Sequence, residues 1–514
     1  MASHPILSKA CGHFSMLNDA SLFIEKGHMD GTWVTAASGA SFDVVNPAND
    51  QILGACPDFS VAEANRAIDA AAKAFPAFRD TAPRERARLL RRWYDLVMAH
   101  ADDLALLLTL ENGKPLAEAR GEVVYAASFL EWFSEEAPRA YGDTVPAANR
   151  PGARQVLTVR EPVGVCVLIT PWNFPAAMIT RKAAAALAAG CTAVIKPAGE
   201  TPFTANALVE LARRAGVPRG VLNVVTASAA QTPAVGAALT SSPRVHKVSF
   251  TGSTAVGKLL MQQCAGNTPG STLKKVSLEL GGNAPFIVFD DADLEAAVEG
   301  ALFSKFRATG QTCVCANRLY IQAGVYDWFA ARLAERVRGE FVVGDGAVAG
   351  TTHGPLIHAR AAAKAEAHVL DAVKKGAKVL VGGTARGKTA SFVQPTVLAD
   401  VTSDMQIASE ETFGPVAGLF RFTTEAEVLD LANSTEFGLA AYVFSQDVHR
   451  AWRVARALDA GMVGLNTGVI SDAAAPFGGV KSSGFGREGS KYGIEEYMTV
   501  KTITLGAERV KSRL

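Results

Sequence analysis

The chain has 514 residues, enough for two or three domains and a large buried core. Its 51 Lys and Arg nearly cancel 50 Asp and Glu, and the net charge of +1 leaves no electrostatic footprint for nucleic acid or an acidic membrane surface, so small molecules are the expected partners. Seven cysteines, an odd number spread from Cys11 to Cys315 without framework spacing, point to a reducing compartment, and the cytoplasm is the expected location.

The opening residues to Ser15 carry neither a signal-peptide nor a transit-peptide pattern and read as a loose tail. From residue 61 to 136 the pattern is helical, with apolar residues at three and four spacing in runs such as 85–98 and 121–136. The cluster Arg84, Arg86, Arg88, Arg91 and Arg92 reads as the solvated face of one such helix. A short strand at 156–159 precedes a buried-type strand at 163–169. Alternation follows: a helix over 175–189 ended by Gly190, a strand at 192–195, and a helix over 202–215 with Thr201 as N-cap and Gly216 beyond it. The series continues with a strand at 222–225, a short helix, a strand at 245–250 and a helix over 254–264. Such a series predicts a parallel sheet covered on both faces, the layout of dinucleotide-binding domains. The longest apolar stretch, 183–195, is shorter than the roughly 20 residues a bilayer requires, so no membrane span is expected.

A second alternating series starts at 286–289 and runs through 318–321, 379–381 and 440–444, predicting a second α/β domain. Its end is glycine-rich, at 476–479 and 484–488, and residues 497–505 alternate like a final strand.

Several segments carry chemistry. In a strand over 276–280, Val276, Leu278 and Leu280 face one way and Glu279 the other, toward a cleft, while Gly281 and Gly282 end the strand and allow close backbone approach. Cys313 follows 34 residues later and pairs a candidate thiol nucleophile with a candidate carboxylate base, a combination suited to thioester chemistry. Asn173 follows the 163–169 strand at its carboxyl end, the usual ligand-binding edge, and could donate to a developing oxyanion. Lys196, at the end of the next strand, could reach a ribose or phosphate. The segment 252–259 nearly matches a phosphate-binding loop, but Leu259 stands where a magnesium-ligating Ser or Thr should be; a strand turning into a helix N-terminus still suits a dinucleotide pyrophosphate. Each of these also has an ordinary structural reading: a solvated Glu, a packed thiol, a tight turn. Nine scattered histidines, and a Cys313-Val314-Cys315 pair without a second ligand pair, give no reason to expect a metal.

Taken together, the segments resemble the aldehyde dehydrogenase superfamily over residues 46–505, with Glu410 to Pro415 and Pro476 to Gly479 falling in the family's order and spacing. The resemblance implies an α/β fold: a Rossmann-like cofactor domain (1–147 and 166–281), an α/β catalytic domain (282–485) and a small β oligomerisation element (148–165 and 486–514) serving a homodimer or homotetramer. It implies Cys313 as nucleophile, Glu279 as general base, and Asn173 with the Cys313 N–H as oxyanion hole. The cofactor would rest on Ile169, Trp172, Lys196, Ser253, Glu411 and Phe413.

Within the superfamily the chain most resembles the succinate-semialdehyde dehydrogenases, by residues 178–182, 304–307, the Cys313-Val314-Cys315 pair and 486–493. The carboxylate binders would be Arg181, Arg307 and Ser471, since a guanidinium donates two parallel hydrogen bonds to a carboxylate. Glutarate semialdehyde is the alternative substrate, because a methylene contributes only about 1 to 3 kcal/mol of discrimination. A CoA-acylating enzyme is the alternative class, disfavoured by Glu279; a nucleotide-binding structural protein is disfavoured by the complete catalytic set. Relatives preferring NAD place Glu three residues after the lysine, whereas here that position is Gly199 with Glu200 displaced by one. NADP is therefore expected ahead of NAD, with Lys196 and Ser253 near its phosphate. Cys315, two residues from the nucleophile, is a candidate partner for a reducible link.

Overall fold

The computed structural model describes residues 16–146, 153–266, 272–383 and 389–506. The tail to Ser15, and residues 148–152 and 507–514 of the expected oligomerisation element, lie outside them.

The first alternating series forms an eight-stranded sheet in the order Gly484–Phe485, Lys275–Glu279, Val245–Thr251, Val165–Ile169, Thr192–Lys196, Leu222–Val224, Gly27–Met29 and Thr32–Val34. The five middle-series strands, from Lys275–Glu279 to Leu222–Val224, run parallel, and antiparallel strands close both edges. Side chains alternate across it as the strand period demands. Cys166 and Leu168 enter the core beneath the helices Pro83–Ala99, Leu116–Glu136, Ala177–Ala189 and Pro202–Arg214. Val165 and Val167 enter the opposite core with the helix Val61–Arg79. Both faces are covered, which is why these strands read as unbroken apolar runs.

A second sheet holds seven strands in the order Lys378–Val381, Thr396–Ala399, Val416–Phe422, Ala316–Gln322, Ala284–Val288, Ala440–Phe444 and Met462–Leu465. All pair in parallel except Lys378–Val381. The third sheet pairs Ala153–Pro162 with Met498–Gly506 along nearly its whole length, with Thr144–Val145 on the other side. Among the described residues no helix is long and apolar enough to cross a membrane.

Two local expectations are corrected. Arg84, Arg88 and Arg91 are exposed, but Arg86 is buried and donates to the Thr81 carbonyl and, at 3.0 Å, to the Ala188 carbonyl. Arg92 donates at 2.8 Å to the Ala215 carbonyl. Both serve helix C-termini, whose last carbonyls have no partner within the helix. The helix Pro202–Arg214 does begin after Thr201, but the Thr201 side chain makes no capping bond. The cap is the Glu111 carboxylate of the helix Ala101–Asn112, which accepts the Phe203 and Thr204 N–H groups at 2.8 and 2.9 Å. A carboxylate satisfies two orphan donors at once and favours the positive helix end.

Candidate active site

Glu279 is the last residue of its strand, in register with Thr251 on one side and Gly484 on the other. It is 2% exposed, and neither carboxylate oxygen finds a hydrogen-bond partner among the described residues. Burial raises its pKa well above the carboxylate range and Glu488 adds to this, opposed by Lys182 and Arg181. A carboxylate in this setting is a proton acceptor rather than an inert anion.

The turn after this strand lies directly against the loop that carries Cys313, the candidate nucleophile. A Cβ at Gly282 would lie 2.3 Å from the Cys313 carbonyl oxygen, so only glycine fits. Cys313 itself follows the 3-10 turn Arg307–Gly310, where Ala308 and Thr309 hold φ of +52° and +54°. That left-handed backbone is uncommon for residues with a Cβ. The Ala308 N–H is secured by the half-buried Glu118 carboxylate at 3.0 Å. Cys313 is half-buried; its thiol is pushed up to about 12 by burial and then by Glu411, with Arg181 acting the other way. At neutral pH the sulfur rests as a thiol, so attack requires that its proton leave in the same event.

Asn173 lies on the loop after the strand Val165–Ile169, and its Nδ2 donates at 2.9 Å to the Gln311 carbonyl, two residues before Cys313. Its own carbonyl accepts from Lys114 at 2.9 Å, and Lys114 pairs with the buried Glu122, which also accepts the Ala176 N–H at 2.9 Å. The amide is thus fixed against the nucleophile loop from behind.

A cavity of about 530 Å³ joins Asn173, Ser253, Glu279 and Cys313 to Trp172, Glu411 and Phe413. The Trp172 and Phe413 rings meet edge to face at 5.6 Å across it. Glu411 accepts the Gly282 N–H at 3.0 Å, and burial pushes its carboxyl up to about 7.

A second cavity of about 530 Å³ includes Glu118, Tyr125, Phe303, Arg307, His353 and Ser471. Its inner recess is shared by Arg307, Ser471, Thr312 and Val314, the last two flanking Cys313. The Arg307 guanidinium lies over the rings of Phe174 and Phe303 at 5.0 and 5.5 Å. Arg181 stands one layer back, 2% exposed, boxed by the rings of Tyr125, Phe129 and Phe477 at 5.6, 4.9 and 4.5 Å. Its Nη2 donates to the Tyr125 hydroxyl at 2.5 Å, while its Nε has no partner among the described residues.

The aldehyde dehydrogenase family profile matches residues 33–503. This chain belongs to the aldehyde dehydrogenase family. It is 58% identical over 490 residues, 95% of this chain and 99% of the relative, to the NADP(+) succinate-semialdehyde dehydrogenase GabD of Escherichia coli K12. It is 57% identical, with the same coverage of each chain, to a glutarate-semialdehyde dehydrogenase of Pseudomonas aeruginosa. A crystal structure described as an E. coli NADP-dependent enzyme superposes with a TM-score of 0.92 at 57% identity, covering 96% of this chain and all of the other. The α/β architecture described above is the aldehyde dehydrogenase fold.

The aldehyde dehydrogenase cleft also fits a dinucleotide. Ile169 ends its strand at 9% exposure, and Lys196 is 4% exposed with only the Pro197 carbonyl as a hydrogen-bond partner among the described residues, at 3.2 Å. Burial lowers the Lys196 ammonium to about 8, against the pull of Glu200, so an added anion would be favoured there. Ser253 precedes the helix Thr254–Cys264 without capping it, leaving the first N–H groups of that helix to a ligand. Three residues that sequence reading passed over, His358, Arg360 and Lys364, line the opposite wall. They begin the alanine-rich helix Ala359–Lys374, and the only signal was the four-residue spacing of Arg360 and Lys364, which sets them on one face.

Cys315 is 2% exposed, and its Sγ donates to the Lys305 and Gly310 carbonyls at 3.5 and 3.4 Å. Among the described residues no group of three or more His, Cys, Asp or Glu is placed to hold a metal ion.

Proposed function

We propose that this aldehyde dehydrogenase oxidises succinate semialdehyde to succinate, with NADP preferred over NAD as hydride acceptor. The observation that supports the carboxylated substrate is the pair of cations at the second cavity: Arg307 lining it beside Ser471, and Arg181 behind Tyr125 with an unpartnered Nε. A buried guanidinium short of acceptors costs free energy unless an anion completes it. The printed names of the E. coli and P. aeruginosa relatives, a succinate- and a glutarate-semialdehyde enzyme, agree on a terminal carboxylate and differ by one methylene. Glutarate semialdehyde is accordingly the second reading.

The residues divide the work as follows. The carboxylate seats on Arg307 and Ser471, with Arg181 adding its charge through Tyr125 from one layer back, which sets the aldehyde carbon beside Cys313. The Cys313 sulfur bonds to that carbon as its proton passes to Glu279 in the same cavity and from there to solvent, and Asn173 Nδ2 with the Cys313 N–H stabilise the oxyanion, a contribution of about 3 kcal/mol per donor. Ile169, Trp172, Lys196, Ser253, Glu411 and Phe413 hold the cofactor, whose nicotinamide supplies the two-electron hydride acceptor. Glu279 then takes a proton from water; the hydroxide oxygen bonds to the thioester carbon, the carbon–sulfur bond breaks, and the thiol is regenerated as the acid departs.

The sheet membership supports a cofactor domain around the first sheet, a catalytic domain around the second and an assembly element at the third. Val500, Ile503 and Leu505 on its outer strand are exposed at 63%, 40% and 44%, which suits burial in a dimer or tetramer. The six described cysteines are free, in keeping with a cytoplasmic protein. The test is initial rates of reduced nicotinamide formation with succinate semialdehyde, glutarate semialdehyde and butanal, each with NADP and NAD. Highest kcat/KM for succinate semialdehyde with NADP is expected; equal rates with butanal would overturn the carboxylate reading.

A further inference from the structure

Behind Glu279 stand two buried cations, and both are engaged by a third carboxylate. Lys182 is 0% exposed and pairs with Glu488 Oε1, while donating at 2.7 Å to Thr251 Oγ1. Thr251 is the residue in register beside Glu279. The Arg181 Nη1 lies 3.5 Å from Glu488 Oε2. Glu488, 5% exposed, follows the two-residue strand Gly484–Phe485 that closes the sheet next to Glu279. Lys182 and Arg181, adjacent on the helix Ala177–Ala189, thus present their charges to a carboxylate from a different part of the chain, while both oxygens of Glu279 stay unpartnered.

We propose that Glu488 is a positioning residue for the general base: it holds Lys182 and Arg181 in place so that neither cation pairs with Glu279. Two buried cations beside a buried, unpaired carboxylate would otherwise close on it, since an uncompensated charge in the interior is strongly unfavourable. A Glu279 locked to Lys182 would be a weak base with no free lone pair for water. Glu488 pairs with Lys182 and draws the Nη1 side of Arg181, whose Nε stays open, and so leaves Glu279 desolvated and free. The charged and titratable groups around the pair are Lys182 and Arg181 from the helix, Arg487 and Glu488 from the closing segment, Tyr497 beyond it, and Cys313 across the cleft. Their directions agree with the geometry, with Glu488 raising the Glu279 pKa and both cations lowering it.

The proposal rests on Glu279 being the base, so the test isolates the hydrolytic step. p-Nitrophenyl acetate acetylates Cys313 without cofactor; nitrophenolate release reports acylation, and intact mass follows loss of the acetyl group over about pH 6 to 9. In Glu488→Gln, hydrolysis of the acetyl-enzyme slows by at least about tenfold and its acid limb moves to lower pH, because the freed lysine stabilises ionised Glu279. Adding Lys182→Met restores hydrolysis to within about threefold of the parent, which structural damage from Glu488→Gln would not permit. The double variant leaves no lysine charge unpaired, and Arg181 keeps the Tyr125 hydroxyl and its three surrounding rings, so it decides the matter even if the single one does not fold. A parent-like rate and pH limb in Glu488→Gln, or slow hydrolysis that persists in the double variant, overturns the proposal. Glu279→Gln separates the two layers: parent-like hydrolysis there removes the base and with it the proposal, whereas loss there with either of the former results removes only the role of Glu488.

Discussion

Arg307 lies over the ring of Phe174 at 5.0 Å, and Phe174 is the neighbour of Asn173, whose amide reaches the nucleophile loop at 2.9 Å. The substrate-side cation and the oxyanion donor are therefore set by adjacent residues of one buried loop. Arg307→Gln is expected to raise KM for succinate semialdehyde by about 10- to 100-fold, since a charge-assisted hydrogen bond contributes about 1.5 to 3 kcal/mol and each 1.4 kcal/mol is tenfold. With butanal kcat/KM should stay within about threefold, because no carboxylate is lost there. Equal losses on both aldehydes would place Arg307 in the fold rather than in recognition.

Gly199 is where a carboxylate would meet the ribose of the cofactor. A Cβ there stands 3.1 Å from the Ala227 carbonyl oxygen, so the substitution needs a shift of a few tenths of an ångström at that loop. Gly199→Glu should move the NADP-to-NAD ratio of kcat/KM toward NAD by at least about tenfold through repulsion of the 2′-phosphate. An unchanged ratio would remove Gly199 from cofactor choice and leave Lys196 and Ser253 to account for it.

The Cys313 thiol, held at about 12 by burial and by Glu411, should react slowly with iodoacetamide below pH 9. Glu411 itself titrates near 7, so at about pH 8 it is mostly charged and opposes the thiolate. Glu411→Gln removes that charge, lowers the thiol pKa and speeds alkylation at this pH. The rate against pH, followed by mass spectrometry, checks it; a curve unmoved by the substitution would mean that burial alone governs the sulfur.

Cys315 could rescue an oxidised nucleophile. Peroxide would oxidise the Cys313 thiolate to a sulfenic acid, and the Cys315 sulfur would displace the hydroxyl as water, forming a disulfide that thiol reductants reopen. The Cys315 sulfur must first leave the Lys305 and Gly310 carbonyls. Parent enzyme treated with peroxide should then recover activity in dithiothreitol while Cys315→Ala does not. Identical recovery would assign Cys315 to packing.

Glu111, fully buried, has its carboxyl raised to about 8 mainly by burial, despite the N–H groups of Phe203 and Thr204. A carboxyl whose folded pKa is raised stabilises the fold fully below its unfolded value near 4.5, and that contribution is lost as pH rises through about 8. Melting temperature should therefore fall between about pH 4.5 and 8 and level off above that, and Glu111→Gln should flatten the decline. An equal slope in the variant would locate the pH dependence elsewhere.

The parallel strands of the first sheet were legible because Val165–Ile169 and most of Thr192–Lys196 are apolar runs between turn residues, a signal that survives without knowledge of neighbours, whereas the edge strands Gly27–Met29 and Thr32–Val34 are three residues each and carry no such signal. Thr396–Ala399 and Met462–Leu465 are four residues each, and Val416–Phe422 is interrupted by Gly418 and Arg421, so their strand character comes from the partners beside them. Glu279 and Asn173 stood out because each lies at a strand end, where sheets of this kind place ligands, whereas Cys313 comes after a turn and before the strand Ala316–Gln322 and stood out as a thiol to pair with Glu279. What the sequence could not convey was which charges share a space. Lys182 and Glu488 lie 306 residues apart, and Arg86 looked solvated because its acceptor, the end of the helix Ala177–Ala189, is 102 residues away. Arg181 and Arg307 were read as equivalent, whereas Tyr125 separates one of them from the cavity.

The contact between Gly282 and the Cys313 carbonyl joins base and nucleophile through main chain, while the residues that choose the substrate project from the helices Leu116–Glu136 and Leu294–Phe306 and the loop holding Ser471. Phe303 and Ser471 border that cavity without touching the joint, so a lineage, or directed evolution on new aldehydes, can change them one at a time, whereas Glu118 and Arg307 border the cavity and also hold or begin the turn before Cys313, so a change at either is felt at the sulfur as well.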